Sequence, residues 1–328
     1  MSRTNPITII LVSWKDADET LQAVESLAQA RALVPPDGPR VSLVVVDNDG
    51  GTLDRSALLS RWPDATLLVN QKNRGFGPAV NQATKIAGEG LLLLVNPDTR
   101  ALGEPFGEIA RAFDENPRAV AVAPRLVDDA ETTGRLAPPG REDQFTFQLR
   151  RLPRLSDDAR GLLLFDHVAP DNRWRRRARY ADRDPDAPLE VEQPAAAALA
   201  VRGDVFRAVG GFDEIFVPAW FEDVDLCARL LERGSIVYWP AAKFRHRGGA
   251  ASQELGYARF LPAYYRNAIL YRRRRYGAAA RLGYRALLAA GMVLRLAALP
   301  VRRSPRPRRE SAVAYVKTLG VALGLARR

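Results

Sequence analysis

Leu91-Leu92-Leu93-Leu94-Val95-Asn96-Pro97-Asp98-Thr99 is the stretch whose reading decides the fold. Five apolar residues without alternation suit a strand buried on both faces, the habit of a parallel sheet inside an α/β domain. The run stops at a polar turn carrying a carboxylate, and in such open sheets ligands bind outside the carboxyl ends of the strands. The same pattern recurs before it. Ile7–Ser13 is an unbroken apolar run, 41–46 is a second that ends in Asp47-Asn48-Asp49-Gly50-Gly51, and 65–69 is a third, followed by the turn 73–77. Leu21, Val24, Leu27 and Ala28 fall at helical spacing within 18–32, and further helices are expected over 53–61, 79–87 and 106–116, with a strand over 119–123. This alternation predicts an α/β fold, an open and mostly parallel sheet flanked by helices. Ser13, Asp47, Asn48, Asn96 and Asp98 all fall at strand ends.

Beyond it the chain is harder to read. Residues 128–190 are polar, rich in Arg, Asp and Pro, and aperiodic, and no elements are assigned there. A strand is expected over 192–202 and a helix over 205–209. Gly210-Gly211-Phe212-Asp213-Glu214 then leads through an aromatic, Pro-containing loop to Glu222-Asp223-Val224-Asp225, three acids within four residues. Clustered carboxylates in apolar company repel one another and lose solvation, so they usually have a cation, a metal or a proton to handle. A helix-like segment and a strand follow, then His246 before Gly248-Gly249.

Each polar motif has a plain structural reading beside the functional one. Asn96-Pro97-Asp98 is an ordinary turn sequence, yet a carboxylate there can also reach a divalent cation bridging phosphates. Asp47-Asn48 can cap a helix or form a turn. Asn73-Arg74-Gly75-Phe76-Gly77 either cradles a phosphate or turns the chain, and without Gly-Lys-Ser/Thr it is not a P-loop. Trp220 and Phe221 suit a wall against a sugar or a core equally well. Cys227, the single cysteine, reads as a small buried hydrophobe. It excludes an intrachain disulfide and fits a cytosolic setting.

Charge is unevenly distributed. The net charge is +11, but residues 256–328 carry sixteen Arg and Lys317 against Glu310 alone, which leaves the preceding 255 residues at −5. The expected organisation is therefore a body, 1–255, and a basic helical extension, 256–328. Helices are expected over 257–276 and 278–299, and 312–325 is a third, apolar piece with Lys317. On the second, Arg281, Arg285 and Arg295 fall on one narrow arc of an otherwise apolar surface, as suits a helix lying on an anionic membrane. The alternative is that this apolar surface packs on the body or on a second subunit. No secretory signal or spanning helix is read from the sequence, so the expected location is cytoplasmic and peripheral on the inner membrane face.

In this order the pieces resemble the family-2 glycosyltransferases of GT-A fold, particularly their rhamnosyltransferase-like bacterial branch. The resemblance runs from Ile7 to Ser252. It is carried by Val12-Ser13-Trp14, Val45-Val46-Asp47-Asn48, Asn73 to Asn81, Leu94 to Thr99, Gly210 to Glu214, Glu222 to Leu226 and His246-Arg247-Gly248-Gly249. It implies a Rossmann-like, open mixed sheet, a nucleotide-diphosphate sugar donor, a divalent cation (Mg²⁺ or Mn²⁺) and inversion at the anomeric carbon. By position, Ser13, Trp14, Asp47, Asn48, Arg74, Gly75, Phe76 and Asn96 would hold the donor, and Asp98 and His246 the metal. Asp223 would be the general base with Glu222 as runner-up, and Asp225 would orient the helix start. Asn96 stands where many members have the first Asp of the motif, a departure that bears on the number of carboxylate ligands. The expected donor is dTDP-L-rhamnose or another nucleotide-linked hexose, and the expected acceptor a saccharide or polyprenyl-linked saccharide in cell-wall or polysaccharide synthesis. A nucleic-acid partner is not expected. The rival readings are a sugar-phosphate nucleotidyltransferase, which would want a glycine near Lys15, and a non-catalytic binding protein, which has no use for the acid cluster.

Overall fold

A computed structural model describes residues 5–128, 144–247, 256–300 and 306–325. The first half alternates as expected: β1 (Ile7–Ser13), α1 (Ala17–Ala32), β2 (Val41–Asp47), α2 (Arg55–Arg61), β3 (Thr66–Val69), α3 (Phe76–Thr84) and β4 (Leu91–Val95). A short strand that sequence reading missed, β5 (Thr99–Leu102), follows directly, then α4 (Pro105–Glu115) and β6 (Ala119–Val127). The polar region supplies α5 (Gln144–Gln148), β7 (Leu149–Arg150), α6 (Leu155–Leu162), α7 (Phe165–Val168) and α8 (Arg173–Ala178). The strand expected over 192–202 is in fact three pieces, β8 (Leu189–Val191), β9 (Gln193–Pro194) and β10 (Ala198–Arg202). The chain continues through α9 (Gly203–Ala208), α10 (Glu222–Leu230), β11 (Ser235–His246), α11 (Tyr257–Ala298) and α12 (Arg308–Leu323).

The main sheet runs β3-β2-β1-β4-β10-β6-β11-β5, with β8 also pairing β11. The strand pattern alone suggests a mostly parallel sheet, but the sheet is mixed, as the resemblance implies. β3, β2, β1 and β4 are parallel, but β10 enters antiparallel between β4 and β6, and β5 is antiparallel to β11. Burial on both faces looks the same for either direction, so strand sense was not written in the local pattern. Two glycines allow the close approach that ends this pairing. A Cβ on Gly203 would lie 2.7 Å from the Gly90 carbonyl, and one on Gly90 would lie 2.3 Å from the Pro6 carbonyl.

Ile9, Leu11, Val45, Leu93 and Val95 form the core on one face of the sheet, closed by Val24 and Leu27 of α1 and by Phe106, Ile109 and Phe113 of α4. Asp16 caps α1 by accepting from the Glu19 amide, and Glu104 caps α4 ahead of Pro105, each satisfying N–H groups the helix leaves free.

The chain separates into two compact units. The first holds the sheet and comprises Met1–Arg151, Arg179–Glu214 and Glu222–Gly248; the second comprises Leu152–Ala178, Ile215–Phe221 and Gly249–Arg328. Leu152–Ala178 and Ile215–Phe221 thus cluster with the C-terminal segment, a membership that a cut at residue 255 does not describe. The reason lies in α11. Arg272 is buried, pairs with Asp158 and donates to the Pro153 carbonyl at 2.5 Å, while Asn267 donates to the Ala219 and Trp220 carbonyls. Phe221 stacks with Tyr264 and Tyr271, so in this unit it serves as core.

The helices expected over 257–276 and 278–299 meet at Gly277, whose φ of 83° and ψ of −171° break the helical path. Two of the three arginines of the basic stripe expected on the second of them, Arg285 and Arg295, are engaged by backbone carbonyls. Arg285 donates to the Ala322 carbonyl at 2.7 Å, and Arg295 donates to the carbonyls of Gly161 and Leu162. Helix-end carbonyls lacking partners attract guanidinium groups more specifically than solvent does. Arg273, Arg274 and Arg275 are exposed, as are Leu282 and Val293. Among the described residues, no helix is long and apolar enough to cross a membrane.

Asn81 of α3 binds the 210–214 motif. Its amide accepts from Phe212 N at 2.9 Å and donates to Phe212 O at 2.8 Å and to Glu214 at 3.0 Å. Gly211 has φ of +66°, and a Cβ there would meet Asn81 Oδ1 at 2.4 Å. Gly211→Ala is therefore expected to destabilise the protein by about 1–3 kcal/mol, read as a lower urea midpoint with an unchanged slope. An unaltered midpoint would show that this clamp contributes nothing to stability.

Candidate active site

The antiparallel register of β5 on β11 sets His246 opposite Thr99. His246 Nε2 consequently lies 3.5 Å from Asp98 Oδ1, with only 7% of the His246 side chain and 15% of the Asp98 side chain exposed. The following residue is fixed as well. The Arg247 amide donates to the Asp98 carbonyl at 3.2 Å, and its guanidinium meets Glu19 at 2.7 Å. Glu19 also holds Arg100 at 2.5 Å. Sequence reading missed Glu19, whose role depends on contacts distant in the chain. Gly248 and Gly249 lie outside the described residues.

Two donors so close fit one divalent cation. Such ions need one or two protein ligands when phosphate oxygens and water complete the shell. Among the described residues no cluster of three or more His, Cys, Asp or Glu groups is arranged to hold a metal, so Asp98 and His246 would act as a pair. The Thr99 hydroxyl, fully buried beside them, has no hydrogen-bond partner. Asn96 is fixed by its backbone, its N–H donating to the Ala197 carbonyl at 2.9 Å.

Glu222 and Asp223 open α10. Asp223 Oδ2 accepts from Gln193 Nε2 at 3.3 Å and Oδ1 from the Val224 amide at 2.8 Å. Gln193 precedes Ala197 by four residues, a span of at most about 14 Å of extended chain, which ties the acid pair to the Asn96 turn. Burial pushes the Asp223 carboxyl up, against the Val224 N–H and the charge of Arg150. Burial, then the charge of Asp223, push Glu222 up to about 8. Glu222 Oε2 has no hydrogen-bond partner. Both carboxyls thus have a raised affinity for protons, as suits a pair that takes up and releases one. Asp225 instead forms an ion pair with Arg229, one helical turn on, at 2.7 Å. Cys227 is fully buried, and burial raises its thiol well above the ordinary range, so no thiolate nucleophile is available.

The donor-side motifs converge through Asn48. Its carbonyl accepts from the Arg74 amide at 3.1 Å and from Asn70 at 3.1 Å, and its amide donates to Asn73 at 2.9 Å and the Gly75 carbonyl at 3.3 Å. The loop before α3 is thereby tied to the end of β2, and the exposed Arg74 side chain extends from it. Gly75, at φ of 91°, starts α3, and Phe76 packs edge-on against Phe212 at 5.6 Å. Asp47 is fully buried and accepts from the Asp49 and Leu53 amides at 2.9 and 2.8 Å, so it organises the 48–53 loop. Ser13 is buried too, its hydroxyl accepting from Thr20 and its carbonyl from the Asn48 amide. Trp14 is 37% exposed, with Lys15 over its ring.

Comparison with known proteins fits this geometry. A family model described as Glycosyl transferase family 2 matches residues 8–182. An uncharacterized protein of Mycobacterium tuberculosis (strain CDC 1551 / Oshkosh), MT1568, is 25% identical over 235 residues, which cover 68% of this chain and 63% of that protein. The chain thus spans less than two thirds of that relative. Among solved structures, the mannosyltransferase PcManGT from Pyrobaculum calidifontis, in complex with GDP-Man and Mn²⁺, shares the fold with a TM-score of 0.55 at 14% identity, over 99% of this chain and 88% of that one. GalNAc-T7, with UDP, GalNAc and Mn²⁺, has a TM-score of 0.50 at 12% identity, over 81% of this chain but 48% of its own.

The proton on Glu222 makes stability depend on pH. The folded carboxyl retains it up to about 8, whereas the unfolded chain releases it near 4.5, so stability should fall as pH rises through that window and level off above it. Glu222→Gln should flatten this decline, gaining most over wild type at pH 8.5. Urea titrations at pH 5 and 8.5 measure it, and parallel profiles for the two proteins would exclude the shift.

Proposed function

This chain belongs to glycosyl transferase family 2, and we propose that it is a metal-dependent inverting hexosyltransferase whose general base is Asp223. The observation that carries the reading is the pairing of Asp98 with His246 at 3.5 Å on the strand-end edge where α/β sheets bind ligands. In support, the two compared structures of like fold were solved with Mn²⁺ and with GDP-Man or UDP. The proposed donor is dTDP-L-rhamnose, after the resemblance of Asn96-Pro97-Asp98 to the rhamnosyltransferase-like branch. The proposed acceptor is a saccharide or lipid-linked saccharide of cell-wall or polysaccharide synthesis.

The chemistry assigns each group a task. Asp223 takes the proton of the acceptor hydroxyl as its oxygen bonds the anomeric carbon, and the bond to the nucleoside diphosphate breaks on the opposite face. Gln193 holds the carboxylate in place meanwhile. Asp98 and His246 would hold the divalent cation, whose chemistry when bound is to neutralise the charge developing on the leaving diphosphate. Arg74, on the loop fixed by Asn48, adds positive charge there. Glu222, protonated, keeps a second negative charge away from the base.

The body, 1–255, would carry catalysis and the extension, 256–328, would meet an anionic membrane face. Exposed Arg273, Arg274 and Arg275 support that contact, at about 1 kcal/mol for each well-placed charge.

Asp223→Asn should leave a folded protein that binds the donor while turnover drops by about 10²–10⁴-fold. Thermal shift across nucleotide sugars, with and without Mn²⁺, reads binding, and product formation reads turnover; wild-type turnover would remove Asp223 as the base. Replacing Arg273, Arg274 and Arg275 with Glu should release the protein from phosphatidylserine vesicles, and unchanged pelleting would assign these side chains another role.

A further inference from the structure

A cavity of about 460 Å³ opens at the start of β11, lined by Arg118, Arg151, Arg183, Glu192 and Ile236 among others. β6 and β11 run in the same sense as β4, so their amino-terminal ends lie on the opposite edge of the sheet from the Asp98 turn. The cavity is therefore separate from the donor site. Val191 and Ile236, both buried, give it an apolar floor. Tyr180 forms part of the wall, its hydroxyl accepting from the Glu192 amide at 3.1 Å and its ring lying under Arg151.

The polar lining is cationic. It has three guanidinium groups and two carboxylates, Glu190 and Glu192, and Glu192 is already matched by Arg151 at 3.4 Å. Arg118 and Arg183 are exposed, and their side chains make no hydrogen bond or ion pair among the described residues. A planar guanidinium offers paired donors suited to phosphate. The volume suits a small organic ligand, and the floor suits its carbon skeleton.

The cavity also adjoins the acid pair through one ribbon. β7 and β9 pair with Arg150 opposite Gln193. Those two residues act on Asp223, Gln193 by hydrogen bond and Arg150 by charge. Their chain neighbours Arg151 and Glu192, just outside those two strands, line the cavity. We propose that this cavity binds a small phosphorylated organic molecule through Arg118 and Arg183, and that occupancy alters turnover through the ribbon it shares with Asp223. The second part rests on Asp223 as the base; the first does not.

Calorimetric titration of the full chain in EDTA, with ribose 5-phosphate and inorganic phosphate as probes, tests the site without a metal-loaded donor site. Ribose 5-phosphate should bind one to one and more tightly than inorganic phosphate. The exchanges Arg118→Glu and Arg183→Glu, both at exposed positions, should each weaken it at least tenfold with circular dichroism unchanged, whereas Asp98→Ala should not. No binding by wild type, or undiminished binding in both Arg variants, overturns the site, and equal affinity for the two probes overturns the organic part of the ligand. For the coupling, saturating ribose 5-phosphate should change wild-type turnover at least twofold and leave the Arg118→Glu variant unaffected. Binding without that change overturns the coupling alone, and an Asp223→Asn enzyme with full turnover overturns the base assignment while the binding result stands.

Discussion

The antiparallel ladder between β5 and β11 is the constraint on which the site depends. It joins the residue after Asp98 to the last residue of a twelve-residue strand, and nothing in the local sequence obliges them to meet. A slip of one residue would turn His246 to the other face of the sheet. Several contacts oppose such a slip. The Arg247 amide is held by the Asp98 carbonyl, and Glu19 bridges Arg247 and Arg100. Because Glu19 sits in the first turn of α1, a helix from the start of the chain fixes the edge of the sheet built last.

The acid pair shows two electrostatic effects in competition. A helix N-terminus favours negative charge by about 0.3–1 kcal/mol at exposed positions, and Asp223 does receive the Val224 N–H. Burial acts the other way and prevails for both groups, and the charge of Asp223 adds to it at Glu222. The outcome suits proton transfer, since a carboxylate with a raised affinity for protons is the stronger base. Gln193 and Arg150 limit how far that rise can go.

Much of this was legible in the sequence, for reasons of scale. The strands β1, β2 and β4 announce themselves through uninterrupted apolar runs, and their polar ends marked Asp47, Asn48 and Asp98. That Asp47 accepts from the Asp49 and Leu53 amides took coordinates to read, since such loop contacts leave no mark in sequence. The direction of β10 was hidden because a strand buried on both faces has no directional signature. Gln193 was hidden because its partner lies 30 residues on. The Arg285–Arg295 arc looked like a basic stripe because helical periodicity records angle alone and does not show which carbonyls wait on the facing segment.

Cys227 has a practical consequence. It is the single sulfhydryl of the chain, and it is sealed inside the helix that begins with the acid pair. With no accessible thiol of its own in the folded state, the wild-type protein offers a silent background. A cysteine introduced on any outward-facing loop would then be the sole point of attachment for a dye or spin label, and the helix carrying Asp223 could stay as nature made it while the motion of that loop is followed.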